Sequence, residues 1–235
     1  MSLSCPSFIG DPSSDLCRAV DNYCERTDPS LWSEPVNAFT NGAFLIAAWF
    51  AWRLAARHPS PAHRRLIQAL IIVMALVGPG SFLFHTVATR WAEWGDVIPI
   101  LIFMLLYLWL VLTCFFRWPG WLKLAALAVF FAITFYLEAA VPGTVLWGGA
   151  LYLPTVLVLV ATAIALFRMQ SAAAPAMVGA TAVFLLSFAS RTLDASICPS
   201  FPLGTHFLWH LLNALLLFLL LRLVILHEPR QLPAA

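Results

Sequence analysis

The chain is a succession of apolar stretches, each about as long as a bilayer is thick and each nearly free of charge between its ends. A helix rises about 1.5 Å per residue, so about 20 apolar residues cross a hydrocarbon core of about 30 Å. Runs at 36–52, 66–84, 97–116, 122–137, 151–167, 177–189 and 207–226 read as seven spans. The sixth reaches full length when it starts a turn earlier, through the alanines before Pro175. With 62% hydrophobic and 10% charged residues, an ordinary soluble domain is excluded. The expected fold is all-α: a polytopic membrane protein with a seven-transmembrane helix bundle. No internal repeat is evident, and basic residues are too sparse for a nucleic-acid surface.

Seven spans put the termini on opposite sides, so charge assigns the orientation. With the amino terminus outside, the inner segments hold Arg53, Arg57, Arg64, Arg65, Arg117, Lys123, Arg168, Arg222 and Arg230. The outer segments hold only Arg18, Arg26, Arg90 and Arg191. The excess of inner basic residues favours an outside amino terminus and a cytoplasmic carboxyl terminus. This divides the chain into an outer segment (1–35), a membrane domain (36–226) and a short cytoplasmic tail (227–235). All acids except Glu228 then fall outside, which makes the outer surface attractive to cations.

The same map places His85 at the outer end of the second span and His206 and His210 at the outer start of the seventh. Histidines four apart share a helical face. Each alone could be an interfacial residue bonded to a loop, but three converging imidazoles point to a metal site. Three histidines with water as fourth ligand form a catalytic zinc pattern, in which the ion acidifies the water and polarises a carbonyl. Ser81 lies one turn before His85; its hydroxyl either bonds a backbone carbonyl in its own helix or donates to a substrate carbonyl or the bound water. Asp96 either caps the third span or moves a proton from the attacking water to a leaving amine. Arg191 and Asp194, three apart, read as an ion pair supporting the site.

The polar first 35 residues carry Asp11, Asp15, Asp21, Glu25, Asp28 and Glu34. Asp21, Asn22, Glu25, Thr27 and Glu34 offer enough oxygens for a hard cation such as calcium, without EF-hand spacing. Composition alone favours a solvated tail. None of the five cysteines forms a CxxC pair. Cys114 reads as core, while Cys5, Cys17, Cys24 and Cys198 lie on the outer side, where disulfides form if that side is oxidising.

Several stretches in one order carry a resemblance: DNYCER at 21–26, SEPVNAFTN at 33–41, SFLFH at 81–85 followed by Asp96, RTLDASIC at 191–198 and THFLWH at 205–210. The chain resembles the alkaline ceramidase branch of the seven-helix membrane hydrolase superfamily, which also includes the adiponectin/progestin receptors. The resemblance implies zinc on His85, His206 and His210, with Ser81 and Asp96 beside the activated water. It also implies hydrolysis of the ceramide amide to a sphingoid base and a fatty acid. It further implies calcium at the amino-terminal loop, where Asn22, Tyr23, Glu25, Thr27 and Glu34 match the family's ligand positions. Asn22 and Thr27 stand where eukaryotic members have aspartate and asparagine, and Asp21 substitutes through a one-residue shift. The implied disulfide is Cys24–Cys198, with Cys5–Cys17 as a second pair. The expected location is a bacterial cell membrane with the site facing the periplasm. The competing readings are a seven-helix lipid receptor or lipid-binding protein with structural zinc, and a bis-histidine haem protein. The shared face of His206 and His210 suits one small ion better than a porphyrin.

Overall fold

The computed structural model describes residues 13–58 and 63–227; Cys5 and the tail 228–235 fall outside them. The described residues form eight α-helices: α1 (Pro35–Thr40), α2 (Gly42–Arg57), α3 (Arg64–Val87), α4 (Arg90–Cys114), α5 (Gly120–Ala140), α6 (Leu153–Arg168), α7 (Ala174–Ile197) and α8 (His206–His227). Their only described strand-like pairing is an isolated bridge between Ala19 and Thr89. Helix satisfies its backbone hydrogen bonds within itself, as hydrocarbon requires.

Six helices are long and apolar enough to cross a membrane: α3, α4, α5, α7, α8 and the stretch Ala150–Arg168 that contains α6. Outward-facing Ile72, Trp121, Leu157 and Phe167 are exposed, a surface suited to lipid and not to water. The chain is an integral membrane protein. Its first apolar run departs from expectation, because it is divided at Asn41 into α1 and α2. The 16 residues of α2 make it shorter than any of those six stretches, Ala150–Arg168 with its 19 residues included. The buried Asn41 turns its side-chain amide back onto the Asn37 carbonyl at 2.8 Å.

The polar residues 86–96, expected as a connection, are mostly helix. Ala88 adopts a left-handed conformation (φ 48°), which compresses the reversal between α3 and α4 to Ala88 and Thr89. The amino-terminal segment clamps this reversal: the Val20 amide donates to the Ala88 carbonyl at 2.9 Å and the Arg90 amide to Arg18 at 3.0 Å. Helix α7 likewise continues past the expected end at 189, through Arg191 and Asp194.

The main core gathers Met74, Phe103, Leu166, Met177 and Leu221 from five helices. Against this core α3 and α4 pack closely at one point. A Cβ on Gly80 would collide with the Gly95 carbonyl, so the missing side chain lets the α4 backbone in beside Asp96. Helix α5 is peripheral and meets α4 through a small cluster of Leu108, Leu112 and Phe130.

Candidate metal centre

Three imidazoles meet at one end of the bundle. His85 comes from the last turn of α3, while His206 and His210 occupy successive turns at the start of α8. All three are buried, and one potential ligand nitrogen from each lies within 4.8 Å of the others. Ring centroids are 5.1 Å apart for His85 and His206, 4.7 Å for His85 and His210, and 4.6 Å for His206 and His210.

The flanking contacts leave ring nitrogens available to an ion. The Glu34 carboxylate lies 2.6 Å from Nδ1 of His85, assigning the proton there and leaving Nε2 as a lone-pair donor. That Nε2 is buried without a hydrogen-bond partner, as is Nδ1 of His206. Thr40 Oγ1 lies 2.9 Å from Nδ1 of His210 and 2.8 Å from the Val36 carbonyl. It therefore donates to that carbonyl while accepting from the ring. Buried unpaired nitrogens are costly unless something binds them. An all-imidazole set suits zinc, so the residues present fit that ion.

Asp194 holds the start of α8 in place. Its Oδ1 accepts the amides of Thr205 at 2.6 Å and His206 at 2.8 Å, and its Oδ2 accepts the Cys24 amide at 2.9 Å. Gly204 has φ +66°, and a Cβ there would run into the Asp194 carboxylate and Cys24. Only glycine makes this approach without strain. The Cys24–Cys198 disulfide, with a Cα separation of 5.5 Å, ties the amino-terminal segment to the end of α7. Its neighbour Tyr23 then stacks on His206 with centroids 3.6 Å apart. Burial, the largest influence, raises the Tyr23 phenol above its ordinary pKa against the opposing charge of Arg191, so it stays a neutral donor.

Ser81 is buried on α3, and its side chain is a hydrogen-bonding neighbour of the Asp96 carboxylate. Asp96 lies inside α4, which begins at Arg90 with Thr89 at its N-cap, so Asp96 does not cap the helix. The expected Arg191–Asp194 ion pair is replaced by other contacts. The Arg191 guanidinium lies over the rings of Tyr152 at 5.5 Å and Trp209 at 5.9 Å, and donates to the Trp147 carbonyl at 2.9 Å. Asp194 turns instead to backbone amides, which offer three hydrogen bonds at once.

Among the described residues, the acids of the amino-terminal segment do not gather into a metal-binding group. The Glu25 carboxylate accepts the amides of Val36 and Asn37 at 2.7 and 2.8 Å, meeting the unpaired donors at the start of α1. Glu34 is turned inward: Oε1 meets Arg26, and Oε2 meets His85 and the Asn37 amide group. Burial opposes its charge, but the His85 hydrogen bond and the Arg26 charge outweigh that and hold its pKa below the ordinary value. Asp21, Asn22 and Thr27 are exposed. Sequence reasoning missed Thr40 and the contact between Glu34 and His85. The available signal was the polar Asn37, Thr40 and Asn41 breaking the start of an apolar run that follows Glu34 and Pro35.

Below the histidines an apolar cavity of about 80 Å³ runs between α4, α6, α7 and α8, bordered by Trp209, Tyr152, Phe103, Tyr107, Val111 and Leu220. A second cavity of about 370 Å³, under α5, shares Ile100, Met104 and Tyr152 with it and has Arg90, Glu93 and Glu138 among its lining residues. No curated protein matches the chain. Compared with protein families, residues 18–231 match the one described as Ceramidase, and the chain belongs to that family.

Proposed function

We propose that the protein is a zinc-dependent intramembrane amide hydrolase of ceramide type, cleaving ceramide or a related N-acyl lipid to a sphingoid base and a fatty acid. The observation that carries this reading is the buried meeting of His85, His206 and His210 beside Ser81 and Asp96, in a chain of the Ceramidase family. Zinc on the three imidazoles supplies Lewis-acid polarisation of a carbonyl and lowers the pKa of water toward about 7.

The chain's own residues supply the rest. Ser81 donates to the amide carbonyl oxygen and steadies the negative charge that grows there. Asp96 takes a proton from the attacking water and returns it to the amine nitrogen as the C–N bond breaks. The apolar cavity below receives an alkyl chain, which keeps the scissile amide at the histidines. The lipid reaches the site laterally from the bilayer.

In this reading α1 and α2 together form the first of seven spans. The chain then divides into an outer segment (1–35), whose described part packs against the site through Tyr23 and Glu34, a hydrolase domain (36–226) and a cytoplasmic tail (227–235). The amino terminus and the site then face outside, the periplasmic side of a bacterial cell membrane; the excess of basic residues in the inner segments supports that orientation.

Mass-spectrometric screening of N-acyl lipids with purified protein, paired with metal analysis, tests the proposal. Wild type should release fatty acid and carry zinc. His85→Ala, His206→Ala and His210→Ala should lose both, while Asp96→Asn should keep zinc and fold but lose about 10²- to 10⁴-fold in turnover. A zinc-loaded wild type inert toward every N-acyl lipid would favour a lipid receptor with a structural ion. Full turnover in the zinc-free variants would end the idea.

A further inference from the structure

The oxygens of the amino-terminal loop converge on a guanidinium. Arg26 is only 9% exposed. Its Nε donates to Glu34 Oε1 at 2.5 Å, Nη1 to the carbonyls of Asp28 and Ser30 at 3.3 and 3.2 Å, and Nη2 to the His85 carbonyl at 3.1 Å. These four oxygens come from the loop, the entry to α1 and the last turn of α3.

The residues expected to hold calcium do not fit that ion. Both Glu34 oxygens are engaged by Arg26, His85 and Asn37, and both Glu25 oxygens by the start of α1. The Thr27 amide donates to Ser33 Oγ at 2.9 Å, and the Asp28 amide to the same oxygen at 3.2 Å. A divalent ion on Glu34 would have to lie beside a fixed positive charge. Arginine keeps that charge at any working pH, and its planar fork suits several oxygens at once.

We propose that Arg26 is a built-in cation that takes the place of calcium in the amino-terminal loop and positions His85 for its metal. It does so twice: through Glu34 on the imidazole, and directly on the His85 carbonyl. The inference rests on His85 being a metal ligand, but not on which lipid is cleaved.

Two measurements on the full chain test it without lipid turnover. First, the melting temperature of detergent-purified wild type should be the same in calcium chloride and in EGTA. A saturable rise with calcium, reversed by EGTA, overturns the proposal. Second, Arg26→Gln should weaken zinc retention by about 10- to 100-fold and alter the visible spectrum of the cobalt-substituted site. Arg26→Lys, which keeps a charge, should recover part of both. Wild-type zinc affinity and cobalt spectrum in Arg26→Gln overturn the positioning role. If Arg26→Gln does not fold, Arg26→Lys and the calcium titration decide. Wild type that binds no zinc at all overturns the metal reading of the histidines themselves.

Discussion

The Glu34 carboxylate, at the entry to α1, stands 2.6 Å from Nδ1 of His85, a residue 51 positions along the chain on α3. An acid outside the bundle thus fixes the ring orientation and tautomer of one of the three converging histidines. Carboxylates in this position raise the basicity of a metal-bound imidazole, and losing one costs about 10- to 100-fold in metal affinity. Glu34→Gln keeps the shape but removes the charge that both His85 and Arg26 address. Competition with a chelator of known zinc affinity should show weakening in that range; wild-type affinity would make the contact incidental.

Asp194 has three backbone amides and one carboxylate to satisfy them. Asp194→Asn replaces one acceptor oxygen by an amino group, leaving at least one buried amide of Cys24, Thr205 or His206 unpaired. Each such loss costs about 1–3 kcal/mol. Thermal unfolding in detergent should fall accordingly, and zinc retention should fall with it because His206 is among the residues released. A variant that melts like wild type would show that Gly204 and the disulfide suffice to seat the start of α8.

How legible this was follows from where each partner sits in the chain. His206 and His210 are four apart on one helix, and helix order alone brings His85 to the same end, so the triad needed only periodicity and counting. A cap stayed open as one of two readings of Asp96 because residues 86–96 are polar and read as a connection. In fact the amino-terminal segment covers that reversal, and α4 starts at Arg90. The spacing of Arg191 and Asp194 suggested a pair, yet aromatic faces and backbone amides compete more strongly for each. Glu34 was illegible in its present role. An acid in a polar segment reads alike whether it is solvated, binds an ion or meets a histidine 51 residues away.

The Cys24–Cys198 disulfide closes a loop of 174 residues and holds down the segment that delivers Tyr23, Arg26 and Glu34. A crosslink of this kind stabilises by about 2–5 kcal/mol. Cys24→Ser with Cys198→Ser, or reduction of the wild type, should lower the melting temperature. It should also speed zinc loss to a chelator, since the segment over His206 then loses its covalent tie to the end of α7. Unchanged release kinetics would mean that the Asp194 contacts carry the closure.

The cavity under the histidines gives the proposed hydrolase a measurable ruler. Val111 lies 15 residues beyond Asp96 on α4, about 22 Å along the helix, and borders the cavity with Tyr107. Tyr107 donates its hydroxyl to the Leu220 carbonyl at 3.1 Å, which fixes that wall. Val111→Phe should fill the space at this end, at an overpacking cost of about 1–3 kcal/mol visible in thermal unfolding. Excluding two methylenes of a lipid chain forfeits about 0.8 kcal/mol each, or about tenfold in kcat/KM together. The ratio of long- to short-chain substrate turnover should therefore drop about tenfold, while the rate on the shortest substrates stays near wild type. A ratio that does not move would place the chain elsewhere, with the larger cavity under α5 as the next wall to fill.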